Sequence, residues 1–122
     1  MACKGWRWMP GMLARPIKYP MLGLRVLILD DPYIWLSTVG AEAGPPRMIA
    51  DVNATPDLAD PATLGCLLAL VRKAWGDPGI YAAPQADAPP RLVPGVCLPD
   101  DSVISGGVTE AEALVLALEA AP

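Results

Sequence analysis

Residues 57–78 encode one helix from its start signal to its stop signal, and any fold for this chain has to be built around it. Asp60 is a good N-cap, because its carboxylate can accept a hydrogen bond from a free amide of the first turn. Pro61 then takes the first helical position, where a missing N–H costs nothing. Arg72 and Lys73 fall in the last turn, where cations suit the helix dipole, and Gly76 followed by Pro78 ends the helix. At about 100° per residue, Leu64, Leu67, Leu68, Leu70, Val71, Ala74 and Trp75 share one broad arc, a face that belongs in a core. Gly65, Ala69 and Lys73 lie opposite, with Cys66 near the border, and the two small residues one turn apart leave a shallow surface for a close neighbour.

A second helix closes the sequence. Thr109 and Glu112 have the spacing of a capping box, and Ala111, Leu114, Val115, Leu118 and Ala121 then fall on one side, with Leu116 on the other. A helix of about a dozen residues is marginal alone, so it has to dock. Between and before the helices, Leu24 to Leu29 and Tyr33 to Val39 read as strands joined at Asp30-Asp31-Pro32. Gly40 to Pro46 reads as a loop, Arg47 to Val52 as a third, central strand, and Gly79 to Ala83 as a return to the sheet. Gly5 to Leu13 reads as extended and broken at Pro10-Gly11. Five prolines between Pro84 and Pro99 predict a surface excursion or an edge with a short strand around Val96. The expected class is α+β: one small domain over residues 1–122, a mostly antiparallel sheet of three to five strands, and two helices, about 61–75 and 110–121, packed on one face.

Length and composition narrow the function classes. With 122 residues, 53% hydrophobic and 18% charged, the chain can bury a core and is not a disordered tail. Its longest apolar run, Cys66 to Val71, is far too short to cross a membrane, and no signal-peptide pattern appears, so a cytoplasmic protein is expected. Three cysteines, Cys3, Cys66 and Cys97, have neither CxxC spacing nor an even count, which argues against a disulfide framework and a zinc site. Residues 1–29 carry +5 and the remainder −9, for a total of −4. Trp6 and Trp8 around Arg7 invite a nucleic-acid reading, but in a strand over residues 5–9 they would face one way and pack in a core, and the acidic remainder would repel a polyanion.

The absence of histidine removes the commonest general base and the histidine-dependent nucleophile pairs. No phosphate-loop, dinucleotide or nucleophile-elbow motif is present. Leu24 to Asp31 looks like the first strand and acidic pair of a response-regulator receiver domain, and Ile49-Ala50-Asp51 echoes its phosphorylated strand. About twenty residues between Asp30 and Asp51 are too few for the intervening helix and strand. The pairs Asp30, Asp31 and Asp100, Asp101 are the remaining candidates for a cation, far apart in sequence. No cofactor, metal site or catalytic residue is therefore expected.

The early WMPGM (Trp8–Met12), the block PDL at 56–58 followed by DPATLGCLLALVR at 60–72 with Ala74 and Trp75, and TEAEALV at 109–115 resemble a group of small, mostly uncharacterised phage and prophage proteins. The resemblance implies origin in a mobile element and carries no catalytic residue. The function expected from these readings is a non-enzymatic accessory protein that binds a host or phage protein, with an inhibitor of a CRISPR-like host defence complex as one specific form. The alternative is a small self-associating structural or assembly protein, a homodimer for example. Direct nucleic-acid binding is not expected. Gly65, Cys66, Ala69, Lys73 and Leu116 are the candidate binding residues.

Overall fold

The computed structural model describes residues 3–38, 45–88 and 91–122. Two helices and two antiparallel sheets give the α+β class. The chain divides into two compact units, Arg7–Cys66 and Leu67–Pro122 with residues 3–6, so the division falls within the first helix.

The first unit is a five-stranded sheet in the order β4-β3-β2-β1-β5. Its strands are β1 (Leu13–Pro16), β2 (Leu24–Asp30), β3 (Tyr33–Thr38), β4 (Arg47–Ala50) and β5 (Ala54–Pro56). A three-residue 3-10 turn, Asp51–Asn53, joins β4 to β5, the two edges. Four strand spacings of about 4.8 Å would hold the edges of a flat sheet about 19 Å apart. A 3-10 turn at about 2 Å per residue carries the chain only about 8 Å from Ala50 to Ala54. The sheet must therefore curl toward a small, partly closed barrel. Hydrogen bonds from Asp51 N to Pro32 O and from Ile17 N to Asn53 O, both 2.9 Å, tie the turn to both sides. Met12, Ala14, Leu24, Val26, Ile34 and Leu36 fill the interior.

The Asp-Asp-Pro corner is the expected tight connection between β2 and β3. The expected third strand is present but lies at the sheet edge rather than its centre, because β4 pairs only with β3 and the 3-10 turn claims Asp51 to Asn53. Residues 5–9 form no strand. A turn with Trp6 N donating to Cys3 O precedes them, and Trp8 is buried while Trp6 is half-buried. Most of the expected Gly40 to Pro46 loop lies outside the described residues.

The second unit holds a three-stranded sheet, β6-β7-β8, made of β6 (Tyr81–Ala88), β7 (Arg91–Cys97) and β8 (Val103–Gly106). The proline-rich segment is thus a hairpin rather than an excursion, and the strand expected around Val96 is present within β7. Pro84 sits opposite Pro94, and Gly107 N donates to Pro94 O on the far side of β7. Backbone groups alternate in direction along an antiparallel strand, so both prolines occupy positions that do not bond across the β6–β7 ladder. Their missing N–H groups leave that ladder intact. Helix α2 (Glu110–Glu119) packs on β7 and β8 with Ala111, Ala113, Leu114, Ala117 and Leu118 buried, a wider face than its leucines indicate. Thr109 caps it, accepting from Glu112 N at 3.1 Å. A Cβ at Gly107 would stand 2.9 Å from Ala113 N, so glycine permits this approach.

Helix α1 (Pro61–Trp75) has the bounds its signals predict. Asp60 Oδ2 accepts from Thr63 N at 2.9 Å. Gly76, at φ +65°, ends the helix with Gly76 N bonded to Lys73 O and Asp77 N to Arg72 O, the paired bonds of a left-handed C-cap. Leu67, Leu70 and Val71 are buried, whereas Leu64, Leu68, Ala74 and Trp75 are half-buried. In the second unit Trp75 Nε1 donates to Ala117 O at 2.8 Å and Arg72 Nε to Ile80 O at 2.7 Å. No helix is long and apolar enough to cross a membrane among the described residues.

Candidate functional site

The first unit leaves a cleft of about 500 Å³ between β4 and the segment that links β1 to β2. Its walls are Ile17, Tyr19 and Leu22 on one side and Met48 on the other, with the more buried Leu24 and Ile49 between them. Tyr19 is 64% exposed and Met48 47%. Of the fourteen large hydrophobic side chains exposed among the described residues, ten lie between Ile17 and Val52, in this unit. An apolar surface of this kind marks a place where something binds more often than a chance distribution of side chains does. Ile28, Trp35 and Met48 are direct cross-strand neighbours and so share one face of the sheet.

The topology explains why these groups meet. The β1–β2 segment leaves the barrel at Pro16 and is held by Ile17 N on Asn53 O, beside the end of β4. Tyr19 N and Leu22 N close local turns on Pro16 O and Tyr19 O. Lys18 and Arg47 also line the cleft, and no lining residue is acidic. Among the described residues neither cation has an ion-pair partner.

Two other cations of this unit, Arg15 and Arg25, are engaged in ion pairs. Arg25 grips Asp60 with both terminal nitrogens, at 2.5 and 2.8 Å, and Arg15 reaches Asp57 at 2.7 and 3.0 Å. The Arg25 guanidinium holds the Asp60 carboxyl far below the usual range against the opposing pull of burial, with the Thr63 N–H and hydroxyl assisting. Arg15, and after it the Ala59 N–H, lowers Asp57 likewise. Thr63, fully buried, donates to Asp60 Oδ2 and accepts from Leu13 N at 2.8 Å. These are structural clamps, because no buried side-chain polar atom in them lacks a partner.

The candidate residues of the helix surface are open. Gly65, Ala69 and Lys73 are exposed on α1, and nothing lies within 4 Å of a Cβ built at Gly65. Cys66 is half-buried with Sγ donating to Pro10 O at 3.7 Å. Burial, and then the Asp60 charge, push its thiol above the ordinary value, which disfavours the thiolate a nucleophile needs. Leu116 is 42% exposed on α2.

Of the acidic candidates, Asp100 and Asp101 are engaged within the second unit. Asp100 accepts from Ser102 N at 2.9 Å, and Asp101 accepts from Tyr81 Oη at 2.5 Å. No group of three or more cysteine, aspartate or glutamate side chains that could hold a metal ion occurs among the described residues. Sequence reasoning misses the cleft, whose one local signal is a turn region unusually rich in large apolar residues, from Ile17 to Leu22. Compared with protein-family models, curated proteins and solved structures, the chain matches none of them.

Proposed function

We propose that this chain is a non-enzymatic accessory protein of the phage or prophage kind, acting in the host cytoplasm by docking another protein in the cleft of its first unit. The observation that carries this reading is the coincidence of exposed Ile17, Tyr19, Leu22 and Met48 with two cations that have no ion-pair partner among the described residues, in one concavity. Desolvating apolar side chains supplies affinity, and the cations set orientation. Inhibition of a host defence complex is one role within this reading. A mimic of nucleic acid needs acids in place of phosphates, whereas this cleft offers the opposite charge and suits an acidic partner.

A benzophenone amino acid placed at Tyr19 tests the reading by photo-crosslinking in the producing cell. The expected result is one discrete adduct with another protein. Absence of any protein adduct overturns it.

One observation favours the second reading, a self-associating structural or assembly protein. The neighbouring Ile28, Trp35 and Met48 form an apolar row on the sheet, with Ile28 62% exposed. Light scattering across concentration separates the two, since a strict monomer excludes self-association.

A further inference from the structure

The hydrogen-bond phase of β4 shows which backbone groups it leaves unused. Asp51 N bonds Pro32 O, which makes 32 and 51 a bonded pair. Bonded and non-bonded pairs alternate along an antiparallel ladder, so Ile34–Ile49 and Leu36–Arg47 bond each other. Met48 and Ala50 therefore turn their N–H and C=O groups away from β3, and since the Ala50 C=O accepts the first bond of the 3-10 turn, the Met48 N–H and C=O and the Ala50 N–H remain. Among the described residues no strand borders β4 on that side, and both residues line the cleft. Two other sheet edges are blocked by proline, at Pro56 in β5 and Pro84 in β6, a common protection against strand pairing. β4 has no proline between Arg47 and Ala50.

We propose that an extended segment of a partner protein, with apolar side chains alternating with carboxylates, adds to β4 as a sixth strand. Its backbone pairs with the N–H and C=O of Met48 and with the N–H of Ala50, and its carboxylates meet Lys18 and Arg47. The span Arg47–Ala50, at about 3.3 Å per residue, offers an edge about 13 Å long, enough for roughly four partner residues. A second copy of this chain fits poorly, because pairing two β4 edges would gather both copies of Lys18 and Arg47 with no acid lining either cleft. A fatty acid supplies an anion and an apolar tail but leaves the Met48 N–H and C=O and the Ala50 N–H unpaired.

This inference rests on the cleft being a protein-docking site, and the experiment keeps the two apart. A fluorescent hexapeptide of alternating valine and glutamate is titrated against the full chain by anisotropy. Its controls are the valine–lysine counterpart and a form N-methylated at alternate amides. Saturable binding of the glutamate peptide is expected, with about tenfold loss or more for either control. Arg47→Glu reverses the preference between glutamate and lysine peptides. Met48→Pro removes one free-edge donor without touching the β3 ladder and weakens binding, with circular dichroism confirming the fold. Failure of all peptides, equal binding of the N-methylated form, or preference for lysine overturns strand addition. If a protein adduct at Tyr19 persists through that failure, the docking reading stands alone. If peptides bind but no adduct forms, the docking reading falls and takes the proposal with it.

Discussion

The two units solve the problem of a small core in different ways. In the first, strands are fastened by paired charges, Arg15 to Asp57 and Arg25 to Asp60, while large apolar side chains remain in solvent. In the second, the described residues contain no ion pair, and alanines let α2 approach its sheet closely enough for Ser105 Oγ to reach Ala113 O at 2.6 Å. The contrast teaches where each can tolerate change. A unit held at a few charged points can leave its surface apolar for a partner, whereas one held by close packing depends on every side-chain volume.

The largest expected effect tests the packing side. Leu114 is fully buried. Leu114→Ala should destabilise the second unit by about 3 kcal/mol, read by urea denaturation and by hydrogen exchange resolved to each unit. A smaller loss, below about 1 kcal/mol, would mean that this unit collapses around the cavity and that the contrast is overstated.

Next comes the charged side. Asp60 is both a helix cap and the partner of Arg25. Asp60→Ala removes the two roles together and should cost about 2 kcal/mol, with faster exchange in β1 and β2. Equal acceleration in both units would break the comparison.

The units should also differ in pH response. Asp57 and Asp60 are depressed in the folded state, so their contribution is complete above the unfolded carboxylate value of about 4 and is lost as pH falls below it. Tyr81 is raised, chiefly by its bond to Asp101, so its contribution is complete below about pH 10 and is lost at higher pH. Acid should loosen the first unit more than the second, where Ser102 holds down Asp100 alone, and alkali should loosen the second. Asp60→Asn should flatten the acid limb in an exchange-detected pH titration.

The smallest effect has the opposite sign. A methyl added at Gly65 meets nothing. Gly65→Ala should therefore stabilise α1 by about 0.5–1 kcal/mol, the usual gain when a helical glycine acquires a side chain without a clash. A thermal scan detects it, and destabilisation would show that this surface is not free.

Legibility in the sequence follows the range of the forces involved. Both helices are readable because Asp60, Pro61, Gly76 and Thr109 act within a turn of themselves. Helix α2 buries Ala113 and Ala117 as well, which periodicity of the large residues does not indicate. Strands β1 and β5 escape such a reading, since three or four residues carry little pattern and both are defined by partners far along the chain. The proline-rich hairpin misleads for a related reason. A proline harms a ladder only where its N–H would have pointed inward, and that depends on a register no local rule supplies. The cleft depends on the same information, since Tyr19 and Met48 meet only after β1 through β4 have paired.

Thr63 and Asp60 have a kinetic meaning too. The bond from Thr63 N to Asp60 spans three residues, but Arg25 is 35 residues from Asp60 and Leu13 is 50 from Thr63. A helical turn can nucleate early on the local bond, and the same two side chains then wait for strands that arrive across long loops. The helix start is consequently a meeting point of fast and slow events, where local order exists before the sheet that will lock it.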